Sequence, residues 1–255
     1  MTDKVETIEN SQFDILVLVG PNETFGFDIR LHHIKHFIQG YRNIYIICHI
    51  PNAQIEGCIS VNEDVFPFTK EIVKKYFSES YAKWRGAWYF QQLMKLYAGY
   101  CIPGILDKYL VIDADILLLK PMQFIQDNKF MFNYSNEYHY PYFNHMTRMH
   151  PSLTRQTEHS GITHHMMFYM PFMKKLFELV ETSRGGKPFW QIFMESVYEE
   201  EGTSGASEYE IYFNFVLKYY PEHVMLRPLD WTNIKNYDYV SVCNWMGRPA
   251  PSHTS

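Results

Sequence analysis

The segment Tyr109-Leu-Val-Ile-Asp-Ala-Asp-Ile-Leu-Leu-Leu-Lys-Pro121 constrains the fold of this chain more than any other part of it. Leu110-Val-Ile112 and Ile116-Leu-Leu-Leu119 are unbroken apolar runs, the pattern of backbone covered on both faces in a parallel or mixed sheet. Between them stand Asp113 and Asp115. Residues two apart on an extended chain point the same way, so both carboxylates can reach one ion or one ion-bound ligand. Ionised carboxylates beside a core are costly unless compensated, and a divalent cation is the usual compensation. The plainer reading is a strand-end turn in which one Asp accepts from a backbone N–H. The apolar flanks favour a D-x-D site, because chance D-x-D spacings fall mostly in polar loops.

Elements on either side support a sheet of this kind. Phe13 to Val19 reads as a buried first strand closed by Gly20-Pro21-Asn22, followed by a helix from about Asp28 to Ile38 and a second strand, Asn43 to His49. Strand, helix, strand at this spacing is a βαβ unit. Trp84 to Tyr97 reads as a helix entering the acidic strand, and Asn133 to His159 as a long polar, tyrosine-rich loop. A strand at His164 to Tyr169 and helices at Phe172 to Glu181, Phe189 to Glu199 and Ser207 to Tyr219 complete the pattern. The expected fold is α/β, a Rossmann-like mixed central sheet flanked by helices, in a single domain over 13–248. Residues 1–12 and 249–255 are expected to be flexible ends.

Composition removes several classes of function. A net charge of −5 lacks the basic stripe that contact with a nucleic-acid backbone requires, so no nucleic acid is expected. Cys48, Cys58, Cys101 and Cys243 have no paired spacing, which points away from a zinc site or a disulfide framework and toward a reducing compartment. The polar start Met1-Thr-Asp-Lys is no signal peptide, and no apolar run approaches the length of a membrane span. A soluble, cytoplasmic protein is expected, with peripheral membrane contact left open. His32, His33 and His36 lack a carboxylate or thiolate neighbour in sequence and read as a solvent-facing helix edge rather than a metal site.

Four blocks in order give the chain a family resemblance. These are the aromatic helix Trp88-Tyr-Phe-Gln-Gln-Leu-Met-Lys-Leu96, the acidic strand, the strand His164-His-Met-Met-Phe168 and the helix opening Ser207-Glu-Tyr-Glu-Ile-Tyr212. Together they resemble nucleotide-sugar-dependent glycosyltransferases of the GT-A fold with a D-x-D motif, in particular a group of small bacterial and large-DNA-virus enzymes. The resemblance spans most of residues 13 to 220. It implies a sugar moved from a nucleoside diphosphate, with UDP-sugars favoured, to the hydroxyl of a glycan or other acceptor, with Mn²⁺ or Mg²⁺ as cofactor.

Carried over by position, the resemblance implies that Asp115 binds the metal and that Asp113 shares it or contacts the donor ribose. His164 or His165 would supply a third metal ligand; alternation along the strand lets only one of them face the site. Gly20 and Asn22, at the end of the first strand, and Gln91, Gln92 and Lys95, on the helix before the acidic strand, are the candidates for holding the nucleotide sugar. Tyr138 and Tyr140 are candidates for the acceptor. Ser207 and Glu210 have the spacing of a capping box, which gives Glu210 a structural explanation. Glu208 is not needed for that box. It lies in the first turn, where the helix dipole keeps a carboxylate ionised, and is the candidate base of an inverting transfer. Two other classes stay open: a metal-dependent phosphohydrolase with an aspartyl nucleophile, and a nucleotide-sugar binding module without catalysis.

Overall fold

Every residue of Phe13–Val19 is buried, as a strand covered on both faces requires. The computed structural model describes residues 12–50, 53–202, 204–229 and 234–236. In chain order the elements are β1 (Phe13–Val19), α1 (Phe27–Phe37), β2 (Tyr41–Cys48), β3 (Ile59–Val61), α2 (Lys70–Lys74), α3 (Glu79–Cys101), β4 (Lys108–Asp113), β5 (Ile116–Leu118), β6 (Ile125–Gln126) and β7 (Lys129–Tyr134). They continue as α4 (Tyr140–Met149), β8 (His165–Tyr169), α5 (Met170–Ser183), α6 (Phe189–Glu195), α7 (Glu208–Tyr219), β9 (Val224–Pro228) and β10 (Ile234–Asn236). The ends expected to be flexible lie outside the described residues, apart from Gln12.

The main sheet has the order β3-β2-β1-β4-β8. β1 runs parallel to β2 and to β4, β2 runs parallel to β3, and β8 is antiparallel to β4. This is the expected mixed α/β architecture, a central sheet flanked by helices. From β1 the chain passes through α1 to β2 on one side, while β4 takes the other side. That reversal opens a crevice outside the carboxyl ends of β1 and β4, where open α/β sheets bind their ligands. Register places Leu18 opposite Asp113, so Gly20 and the acidic pair share this end of the sheet.

At the other end of β1 a charge sits inside the apolar strand. Asp14 is fully buried and accepts from Arg42 Nη2 at 2.6 Å, Asn43 N at 3.0 Å and Leu106 N at 2.8 Å. With its lone pairs occupied by donors, the carboxylate ties β2 and the approach to β4 onto β1 instead of destabilising the strand.

The tyrosine-rich stretch is not one long loop. Tyr140–Met149 is α4, with a proline in its first turn and Phe143, His145, Met146 and Met149 buried along one side. The apolar stripe is hard to read from sequence because one of its members is a histidine. His145 is fully buried with Nε2 2.9 Å from the Phe193 carbonyl, and so behaves as a core residue.

Candidate active site

Asp113 closes β4, and its backbone N–H donates to the His164 carbonyl at 2.9 Å, one step beyond the Ile112–His165 pair of the β4–β8 ladder. His164 takes φ 62°, a left-handed conformation that a residue with a Cβ seldom adopts. Such strain persists where the surroundings impose it, and it is commonest at functional sites. His164 Nδ1 lies 3.4 Å from Asp113 Oδ2. One ligand atom from each of Asp113, Asp115 and His164 falls within 4.8 Å of the others, and the three form a group able to hold a metal ion. Two carboxylates and one imidazole make an oxygen-rich donor set that suits Mn²⁺ or Mg²⁺ and leaves coordination positions for a ligand. The residues present therefore fit such an ion.

His165 takes the opposite face. It is buried, with Nε2 3.1 Å from Asn133 Oδ1, and burial pushes its imidazole down to about 3. Of the two candidate histidines, His164 is the one whose ring reaches the acidic pair, while His165 is engaged with Asn133.

Behind Asp113 lies a buried charge cluster. Lys95 Nζ donates to Asp113 Oδ1 at 2.6 Å, to Glu208 Oε1 at 2.6 Å and to the Tyr209 hydroxyl at 3.2 Å. The Tyr209 hydroxyl in turn donates to Asp113 Oδ1 at 2.7 Å. Burial works against charge on Lys95, yet Asp113 and Glu208 outweigh it and hold the ammonium above its ordinary range. Burial also opposes ionisation of Asp113, but Lys95 and His164 hold its carboxyl well below the usual carboxylate range. Glu208 goes the other way: burial raises it, and the Asp113 charge adds to the rise against the pull of Lys95. Burial lowers His164, but its contact with Asp113 and the charges of Asp115 and Glu137 outweigh that and hold the imidazole above its ordinary value.

Two residues expected to hold the donor are engaged inside the protein. The three protons of the Lys95 ammonium already have three acceptors. Gln92 is buried, donating to the Ala206 carbonyl at 3.2 Å and accepting from Glu208 N at 3.1 Å. Both side chains fasten α3 to α7. Gln91, one turn before Lys95, lies beside Gly20: a Cβ at that glycine would stand 3.3 Å from Gln91 Nε2 and 2.5 Å from the Glu23 carboxylate. Asn22 is exposed in the same turn. Next to it a cavity of about 640 Å³ runs along α1 and the ends of β1 and β2, lined by Phe27, Leu31, Lys35, Ile55 and others.

The capping box is only half formed. Ser207 Oγ accepts from Glu210 N at 3.2 Å, as expected. The Glu210 carboxylate does not return to Ser207. It accepts from Ser160 Oγ at 2.7 Å, Gly161 N at 3.0 Å and Asn214 Nδ2 at 3.1 Å, and so anchors the loop leading into His164. Tyr138 and Tyr140 are exposed, and Tyr138 stacks on Phe143 with the Arg155 guanidinium 4.6 Å from its ring. In the histidine edge of α1, His33 Nδ1 meets the Leu118 carbonyl at 2.7 Å, and His32 stacks on His36. Sequence reasoning missed Tyr209. The only signal for it was a phenol in the first turn of a helix otherwise opened by acids.

Fold and site together define an α/β protein with a carboxylate–imidazole centre at the switch point of its sheet. The chain belongs to the DUF6492 family, described as a family of unknown function, whose model matches residues 21–223. No curated protein matches it. Among solved structures it is similar to the apo form of mouse xyloside xylosyltransferase 1, with 8 % identity, a TM-score of 0.42 and 85 % of each chain covered. Among the described residues no helix is long and apolar enough to cross a membrane.

Proposed function

We propose that the protein is a metal-dependent glycosyltransferase of GT-A type, moving a sugar from a nucleoside diphosphate, with UDP-sugars favoured, to an acceptor hydroxyl. The observation that carries this reading is the meeting of Asp113, Asp115 and His164 at the carboxyl end of β4, within 4.8 Å of one another and beside a buried lysine–glutamate pair. Asp113, Asp115 and His164 would hold Mn²⁺ or Mg²⁺, which would supply positive charge against the diphosphate. Gly20, Asn22 and Gln91 line the approach from β1, and the neighbouring cavity offers Phe27 and Leu31 as an apolar floor for a flat base.

Glu208 is the proposed base. Asp113 and Glu208 share one lysine, and their surroundings push the two carboxyls apart, Asp113 down and Glu208 up. In such a pair the raised member is the one suited to exchange a proton and the lowered one stays anionic. Glu208 would take the acceptor hydroxyl's proton as that oxygen attacks the anomeric carbon, giving inversion. Tyr138 and Tyr140, exposed just before α4 and at its start, are the proposed acceptor contacts. The phosphohydrolase alternative needs Asp113 as nucleophile, a role poorly served by an oxygen that already accepts from both Lys95 and Tyr209.

The test is thermal stability across nucleoside diphosphates and their sugars, with and without Mn²⁺. A ligand that binds only the folded chain raises the midpoint by mass action. A shift with one nucleotide that requires Mn²⁺ is expected; the absence of any such shift overturns the reading.

A further inference from the structure

The first turn of α7 grips the proposed cation centre with three successive side chains. Glu208 holds Lys95, Tyr209 holds Asp113, and Glu210 holds the loop that leads into His164. Two of these are charged groups whose roles follow from their partners. Tyr209 is different, because a phenol is neutral and could serve merely as packing.

The geometry argues against packing alone. Tyr209 is buried, and its ring lies 4.5 Å from Lys95 Nζ. Its hydroxyl accepts from that ammonium and donates to Asp113 Oδ1, closing a three-membered circuit of Lys95, Tyr209 and Asp113. A carboxylate can rotate and swap its oxygens. With Oδ1 held by two donors at 2.6 and 2.7 Å, the Asp113 carboxylate has one orientation, and Oδ2 is the oxygen turned to His164. Outer hydrogen bonds of this kind orient metal ligands, and their loss typically weakens metal binding by 10- to 100-fold.

We infer that Tyr209 is a positioning residue of the cation centre: with Lys95 it fixes Asp113 so that Oδ2 alone is presented to the ion. This rests on the proposed metal-dependent reading. Lys95, on the same account, organises the two carboxylates Asp113 and Glu208.

The experiment compares the wild-type chain, Tyr209→Phe and Asp115→Asn by calorimetric titration with Mn²⁺ and by electron paramagnetic resonance of the bound ion. Wild type is expected to bind, and Asp115→Asn to lose that binding. Tyr209→Phe is expected to bind at least about tenfold more weakly, a change of about 1.4 kcal/mol, and with an altered Mn²⁺ spectrum. The spectrum reads only chains that hold the ion, so it reports the ligand field even where the variant is less stable. Wild-type affinity and an unchanged spectrum in Tyr209→Phe would overturn the positioning role and leave the metal centre standing. A wild-type chain that binds no Mn²⁺, or binding that survives Asp115→Asn, would overturn the metal reading and this inference with it.

Discussion

Ser160 and Glu210, distant in sequence, share a buried hydrogen bond: the Ser160 hydroxyl donates to Glu210 Oε2 at 2.7 Å. The same oxygen accepts from Gly161 N at 3.0 Å, so a single carboxylate at the start of α7 fixes the backbone that delivers His164 to Asp113. A Cβ on Gly161 would collide with the Phe213 side chain, which shows how closely that loop lies on α7.

Glu210→Ala should therefore cost more than an ordinary helix substitution. It strands the Ser160 hydroxyl and the Gly161 N–H in a buried place and takes one of two acceptors from the Asn214 amide, which by the usual cost of orphaned donors is about 2–4 kcal/mol. Urea unfolding of variant and wild type measures it. A difference under about 0.5 kcal/mol, the range of neutral surface changes, would mean that water replaces the carboxylate and the anchor is dispensable.

The sheet was legible because its evidence is local. Ile15–Val19 and Leu110–Ile112 are unbroken apolar runs, and the D-x-D follows the second of them directly in the chain. The site was legible only in part, since its partners come together across the fold. Nothing beside Lys95 in sequence announces that Asp113, Glu208 and Tyr209 take all three of its protons. Glu210 fitted a capping box by spacing, and spacing cannot say that Ser160 and Gly161 lie nearer its carboxylate. α4 was hidden for a related reason: His145 counts as polar in a periodicity scan, yet it fills an apolar place.

His145 also sets a pH dependence of stability. Burial pushes its imidazole down to about 3 from an ordinary 6.5, and Nε2 is committed to the Phe193 carbonyl. Below 6.5 the unfolded chain binds a proton that the folded chain refuses. The contribution is thus flat above 6.5, and stability falls as pH drops from there toward 3. The slope from this one group is about 1.4 kcal/mol per pH unit. His145→Gln removes it, so the difference in unfolding free energy between variant and wild type should change between pH 6.5 and 5 by about that slope. A difference that stays constant with pH would show that His145 titrates normally in the folded state.

Asp115→Asn keeps the shape of the side chain and removes half of the acidic pair. Transfer from a nucleotide sugar should fall by about 100-fold or more, in the range seen when metal sites lose their supporting groups, while the apo chain melts within a few degrees of wild type. Excess Mn²⁺ should not restore the rate if the charge itself is required. Activity at the wild-type level would remove Asp115 from the centre and leave Asp113 and His164 without a third ligand among the described residues.

Glu208→Gln separates binding from chemistry. Its carboxylate lies against Lys95 and is raised by burial, so a neutral amide can accept the Lys95 hydrogen bond but cannot take a proton from the acceptor. Donor affinity, read by titration with the nucleoside diphosphate and Mn²⁺, should stay near wild type. The turnover rate should drop by about 10²- to 10⁴-fold, the usual contribution of a general base. Wild-type turnover should fall as pH is lowered through the Glu208 pKa, and the variant's residual rate should lack that limb, because its amide does not titrate. If turnover is unaffected, Glu208 is only the counter-ion of Lys95, and the acceptor proton must leave by a route that does not involve this carboxylate.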